Sequence, residues 1–240
     1  LGDVYKRQVY APWVAEYLDR YKPAGLVAHG RHRAVKNQCP VVLRPDLLIT
    51  EQGFTMTELD SVPGGVGLTA YLNEVYAEDF PEVIGRTAMP DRFMASLARL
   101  TPKEKFPLVA IVVSEEGATY RPEFEWLGEK LRSLGHDVHV VEPSQVMQMG
   151  DGSYVPVDGA PRRVDILYRF FELFDLANVK GADGIFNAVE AGTLTLTPPM
   201  KAFQEEKLGL ALLHHPQLAE FWKENLPEDH HEALFRIVPQ

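Results

Sequence analysis

Cysteine is nearly missing from this chain. Cys39 is the single one in 240 residues, which excludes an internal disulfide and fits a reducing compartment. Positive charge is also scarce: 24 Lys and Arg stand against 34 Asp and Glu, a formal net charge of -10. A nucleic-acid backbone as main partner would need concentrated basic residues, so that class is set aside. Small anions remain open, because local charge decides their binding. No apolar run approaches the roughly 18 residues of a membrane span, and no secretory signal opens the chain, so no membrane is expected and the cytoplasm is the expected location. The sequence holds no GxxxxGK[ST] phosphate loop, no CxxC and no HExxH. It also has no internal repeat and no low-complexity tract.

What is present is an ordinary globular composition, 45% hydrophobic and 24% charged, in a chain long enough for one large domain or two smaller ones. The opening LGDVYKRQ resembles translated adaptor sequence found in environmental DNA, so residues 1–8 are excluded from functional reasoning. The closing Phe235–Gln240 reads as a strand-like run with no closing element, and the chain is expected to be a fragment.

The segment from Arg44 to Tyr76 carries the most chemistry. Apolar residues lead to Thr50, Glu51-Gln52-Gly53 makes a turn, and Phe54-Thr55-Met56-Thr57 alternates, which together predict a hairpin. Glu58 and Asp60 follow at positions i and i+2, on one face of the strand. Two such carboxylates can hold a divalent cation. Ser61 and Pro63-Gly64-Gly65-Val66-Gly67 form a loop whose glycines permit close approach of a ligand. A helix starting near Leu68 would aim free N–H groups into the same space. Either this is a metal and anion site, or the acids are solvated surface and the glycines serve the turn.

Elsewhere, Val9 to Tyr21 shows helical spacing, and Cys39 to Thr50 is the first convincing strand. Arg44 interrupts it and is expected to face water or pair with an anion. Leu68 to Phe80 predicts a helix with Leu68, Tyr71, Leu72, Val75 and Tyr76 on one face. Another helix carries Phe93, Leu97 and Leu100. A boundary is expected near Lys103-Glu104-Lys105. Leu108–Val113 is a continuous apolar strand of the buried parallel kind. A helix from Pro122 to Leu134 and a strand from Asp137 to Val141 complete a crossover unit. Tyr154–Val157 predicts a hairpin edge and Val164–Phe171 a third core strand. Ser114–Arg121 and Arg169–Glu172 then share one rim. A helix at Ala182–Ala191, a strand at Thr193–Thr197, a helix at Met200–Leu213 and one more after Pro216 finish the reading.

The chain also carries weaker signals. Gly65-Val-Gly67-Leu-Thr-Ala70 matches the relaxed dinucleotide fingerprint GxGxxA and supplies a minor alternative, an NAD(P)-binding oxidoreductase. The doublets His214-His215 and His230-His231 and the pair Glu115-Glu116 read as solvated surface.

In order, these segments resemble the circularly permuted ATP-grasp ligases, the group of eukaryotic-type glutathione synthetase and glutathionylspermidine synthase-like proteins. The resemblance spans residues 40–240 and rests on Arg44-Pro45-Asp46, Glu58-Leu59-Asp60, the loop Ser61 to Gly67, the strand-end Arg169 and the Lys-bearing stretch Pro198-Pro199-Met200-Lys201 to Lys207-Leu208. It implies an α/β chain: the N-terminal part of an incomplete ATP-grasp-like domain (9–105), a parallel-sheet α/β/α substrate domain (106–200), and helices leading into a truncated ATP-binding domain (201–240).

The implied activity is ATP-dependent carboxylate–amine ligation through an acyl phosphate, with ATP and Mg²⁺ as cofactors and small carboxylates and amines as substrates. The fragment itself is expected to be inactive, and a homodimer is compatible with it. By resemblance Glu58 and Asp60 hold magnesium, and Glu58 and Lys207 meet ATP, with Lys201 competing for the phosphate. Ser61, Gly64 and Gly65 face substrate, and Arg44 and Arg169 bind substrate carboxylates in the catalytic centre. Asp60 replaces the usual Asn, and Glu172 stands where a substrate-contacting Tyr is usual, which argues against glutathione itself. A non-catalytic α/β module binding a small anion or a partner chain is the alternative of a different class.

Overall fold

The structure is a computed structural model, and it describes residues 12–240. Residues 1–8, and the Val9 and Tyr10 of the first expected helix, lie outside the described residues. The chain is mixed α/β; the described residues form one four-stranded parallel sheet, one three-stranded antiparallel sheet and one two-stranded hairpin. It packs as two compact units, one of residues 12–31, 43–61 and 201–240, the other of 32–42 and 62–200. Residues 62–105, expected with the hairpin, therefore share the core of the parallel-sheet unit instead.

In the hairpin unit, α1 (Pro12–Asp19) and α2 (Ala24–Arg31) precede β1 (Arg44–Thr50) and β2 (Gly53–Asp60). Gly53 sits at φ 115°, a conformation the tight turn requires of a glycine. The strands pair antiparallel with a bulge between Asp46 and Leu47, where Thr57 is the extra residue on β2. The Thr57 hydroxyl donates to the Asp46 carbonyl at 3.2 Å across it.

The core of this unit joins Val14 and Leu18 of α1, Met56 of β2, and Phe203, Leu212, Phe221 and Trp222. Trp222 Nε1 donates to the Leu212 carbonyl at 2.9 Å, so the buried indole keeps its bond. The single helix expected over Met200–Leu213 is broken into a 3₁₀ turn at Ala202–Glu205, the short α7 (Leu208–Ala211) and a second 3₁₀ turn at Leu212–His214. Lys201 and Glu206, both in extended backbone, bound the first of these turns. Helix α8 covers Ala219–Asn225.

Residues 228–237 form helix α9 (Glu228–Ile237), not the strand-like run expected at Phe235. Pro227 ahead of it and the acids Glu228 and Asp229 in its first turn are ordinary helix-start signals. The histidine doublets are less solvated than expected. His214 Nε2 lies 2.8 Å from the Val238 carbonyl, His215 packs on Trp13, and His231 stacks on Phe235 one helical turn away.

The other unit is built on the parallel order β4-β3-β8-β9, with β3 Leu108–Val113, β4 Asp137–Val141, β8 Ile166–Phe170 and β9 Thr195–Thr197. Every residue of β3 is buried, as its unbroken apolar run requires. Helix α5 (Arg121–Ser133) makes the crossover from β3 to β4, and α6 (Ala182–Ala191) that from β8 to β9. Phe93, Met94 and Leu97 of α4 (Met89–Ala98) and Phe124, Leu127 and Leu131 of α5 pack on Val109, Ile111, Tyr168 and Phe170 of the sheet. The strands β5 (Met147–Met149), β6 (Gly152–Val157) and β7 (Ala160–Arg163) form the antiparallel sheet; sequence reading found only the middle one.

Helix α3 (Val66–Asp79) exposes the face that carries its large apolar residues. Val66, Gly67, Ala70 and Ala77 are buried, while Leu68, Tyr71, Leu72, Val75 and Tyr76 are exposed. Small residues face inward because α5 approaches too closely to admit anything larger: a Cβ on Gly67 would stand 2.1 Å from the Glu123 carbonyl oxygen.

Asp137 opens β4 and gives a pH dependence. Partial burial pushes its carboxyl up, but bonds from Arg162 and His139 outweigh this and hold it below the ordinary 3.8. A carboxyl lowered on folding contributes stability that is present above its ordinary value and lost as pH falls through the lowered one. Asp137→Asn therefore destabilises the protein at pH 7, and the gap to the parent closes below pH 3.8. Urea unfolding at pH 7, 5 and 3 reads this directly; a gap of constant size would contradict it.

Candidate functional site

The hairpin register assembles a charged face at its open end. Asp46 lies opposite Glu58 and Arg44 opposite Asp60. Residues directly opposite, and residues two apart, project to the same side of an antiparallel pair. Arg44 forks between two acids, with Nε 3.0 Å from Asp46 Oδ1 and Nη2 3.1 Å from Asp60 Oδ2. Lys207, just ahead of α7, brings its Nζ to 3.1 Å from Glu58 Oε2. Three carboxylates thus face two cations. Lys201, the competing lysine, is buried at the start of a 3₁₀ turn, whereas the Lys207 side chain is 64% exposed.

Exposed ion pairs of this kind contribute about 0–1 kcal/mol each, so the fold does not depend on them. A cation or an anion of higher charge can displace either partner at small cost. Among the described residues no group of three or more His, Cys, Asp or Glu is arranged to hold a metal. Glu58 and Asp60 are nevertheless hard oxygen donors on one face. Magnesium takes about six such ligands and readily draws the remainder from phosphate oxygens and water, so the pair fits part of a magnesium site.

Ser61 follows directly. It is buried, and its hydroxyl has no hydrogen-bond partner among the described residues. An orphaned buried hydroxyl costs roughly 1–3 kcal/mol and marks a position where a ligand could supply the missing bond.

The glycine loop is arranged differently from the open ligand cradle expected of it. A Cβ on Gly64 would lie 2.4 Å from the Tyr120 ring, so that glycine is needed for packing. Gly65 has φ 83° and caps α3 in the left-handed region. The free amides of the helix start are already held by a carboxylate of the protein itself: Gly65 N donates to Glu123 Oε1 at 2.6 Å and Leu68 N to Glu123 Oε2 at 3.0 Å. The physical expectation of an anion at this helix start holds, and Glu123 is that anion. Nothing near Gly65 in the sequence signals a partner from α5. Glu123→Ala removes both bonds and is expected to cost about 1–2 kcal/mol, read by urea unfolding. A variant as stable as the parent would overturn this cap.

Arg169, expected to grip a substrate carboxylate, lies in the interior with no solvent exposure. Its Nε donates to the Pro198 carbonyl at 3.2 Å, its Nη1 donates to the Phe171 carbonyl, and its guanidinium lies over the Phe171 ring. Its position on a parallel strand buried on both faces explains this. The shared rim does form, since Ser114 N bonds the Phe170 carbonyl at 3.3 Å, and the Ser114 hydroxyl accepts from Gly117 N. The dinucleotide fingerprint at Gly65, Gly67 and Ala70 follows a hairpin strand rather than a strand of the parallel sheet, and Glu123 occupies its amides.

Comparison with family models and with curated proteins finds no match for this chain.

Proposed function

We propose that this chain carries the phosphate-facing part of an ATP- and Mg²⁺-dependent carboxylate–amine ligase, of the circularly permuted ATP-grasp kind its sequence resembles. One observation carries the reading: Lys207 Nζ stands 3.1 Å from Glu58 Oε2, although the two are far apart in the chain. An acid pair alone is ordinary surface. An acid pair met by a distant lysine on the same face is the charge arrangement that a metal–phosphate complex needs.

In this reading Glu58 and Asp60 supply carboxylate oxygens to magnesium, which when bound neutralises phosphate charge. Lys207 exchanges Glu58 for a phosphate oxygen and offers a positive point charge to it. Arg44, now forked between Asp46 and Asp60, has the planar donor pair that suits a substrate carboxylate. The Ser61 hydroxyl faces the acyl group or the acceptor. Arg169 is left out, because its donors serve backbone carbonyls in the core. Gly64 and Gly65 are left out as well, because Gly64 packs on the Tyr120 ring and the Gly65 amide is already bonded to Glu123. The protein supplies alignment and charge, and no covalent nucleophile is required.

Two measurements test the proposal. Lys207→Ala is expected to weaken Mg·ATP binding by about tenfold in calorimetric titration, as loss of one charge-assisted bond implies. Phosphate release from ATP by this chain alone, screened over acid and amine pairs, is expected to be absent. Binding indifferent to Lys207 would count against the assignment.

A further inference from the structure

A second hollow lies between α3 and the start of α5, sharing no residue with the charged hairpin face. Its volume is about 470 Å³, within the range of small-molecule sites. Tyr71, Tyr120, Trp126 and Leu68 line it together with Glu123, Gly65 and Gly67. The Tyr71 and Trp126 rings stand nearly perpendicular, 81° apart with centroids at 5.6 Å, and so form two adjoining walls. Tyr120 is fixed from behind: one side packs on Gly64, and its ring meets Phe170 edge-on at 5.2 Å.

The only charged group in the lining is the Glu123 carboxylate, and no Lys, Arg or His lines it. Among the described residues its partners are two backbone amides, one to each oxygen, and no cationic side chain pairs with it. A carboxylate has about four acceptor sites, so about half remain for a ligand. Three electron-rich rings around an anion without a counter-cation attract positive charge, and the apolar walls favour a ligand with little hydration.

We propose that this hollow binds a compact organic cation with an apolar body, of the quaternary or tertiary ammonium class. The aromatic walls contact the alkyl groups and the positive charge, and Glu123 sets the sign of charge accepted. The site stands independently of the ligase reading.

The test compares choline with its neutral carbon isostere, 3,3-dimethylbutan-1-ol, by calorimetric or NMR titration of the protein. Choline is expected to bind at least about tenfold more tightly, the size that two or three cation–π contacts give. Glu123→Gln keeps the shape and one acceptor oxygen, and is expected to remove most of that preference. Tyr71→Leu leaves the helix cap untouched and keeps apolar bulk, so it separates the cage from any folding defect; it is expected to weaken choline several-fold and the alcohol little. Equal binding of the two compounds, binding of neither, or a preference that survives both substitutions would overturn the proposal.

Discussion

Gly67→Ala lowers the stability of the protein by about 3 kcal/mol, although alanine is the better helix former. In an open helix the exchange gains up to about 1 kcal/mol. Here the added carbon would stand 2.1 Å from the Glu123 carbonyl oxygen and 2.7 Å from its carbonyl carbon. Those atoms belong to the backbone of α5 and cannot rotate away, so the two helices must separate. Separation also stretches the bonds from Gly65 and Leu68 to the Glu123 carboxylate, so the clash and the cap fail together. Gly25→Ala is the control, since it lies in α2 with nothing within 4 Å of its missing Cβ. That variant is expected to gain about 0.5 kcal/mol. Urea unfolding of both variants checks the contrast, and equal shifts would contradict the packing described.

Arg169→Met has an effect of similar size, about 3–4 kcal/mol of lost stability. Methionine matches much of the side-chain length but supplies no donor. The Pro198 and Phe171 carbonyls lose the guanidinium that now bonds them inside the core. Arg44→Ala gives the opposite result: its ion pairs are half-exposed, and its stability stays within about 0.5 kcal/mol of the parent. Paired unfolding curves distinguish the two arginines. A harmless Arg169→Met would mean that the guanidinium does not support the core.

The two arginines show how far the sequence could be read. Each sits within a strand-like apolar run, and in sequence they look alike. One lies on an exposed hairpin and the other on a strand buried on both faces, a difference set by which strands become neighbours. Leu108–Val113 announced its own burial through its unbroken apolar run, and the parallel crossover followed from it. The hairpin was legible from its alternation and its Gly53 turn. The orientation of α3 was not, because its large apolar residues obey helical periodicity yet stay exposed, while small residues admit α5. Only the position of α5 decides between those faces. Helix α9 carries legible start signals: Pro227 with Glu228 and Asp229 outweighs the β-prone Phe235–Val238.

The candidate site divides in the same way. Local spacing placed Glu58 and Asp60 on one face, and the observed register adds Arg44 and Asp46 to it. Lys207 was named only through family resemblance, since a helical lysine carries no local mark of its role. Glu123 was missed because the helix start identifies the need for an anion but not its source.

The most direct test of the central claim is an electron paramagnetic resonance titration of Mn²⁺, a stand-in for magnesium, with the protein in the presence and absence of ATP. Bound manganese is expected to rise with ATP, and Glu58→Gln with Asp60→Asn is expected to reduce that bound signal at least about tenfold while the fold is retained. An ATP-dependent signal of undiminished size in the doubly substituted protein would contradict a metal–phosphate role for the hairpin acids, as would the absence of any such signal in the parent.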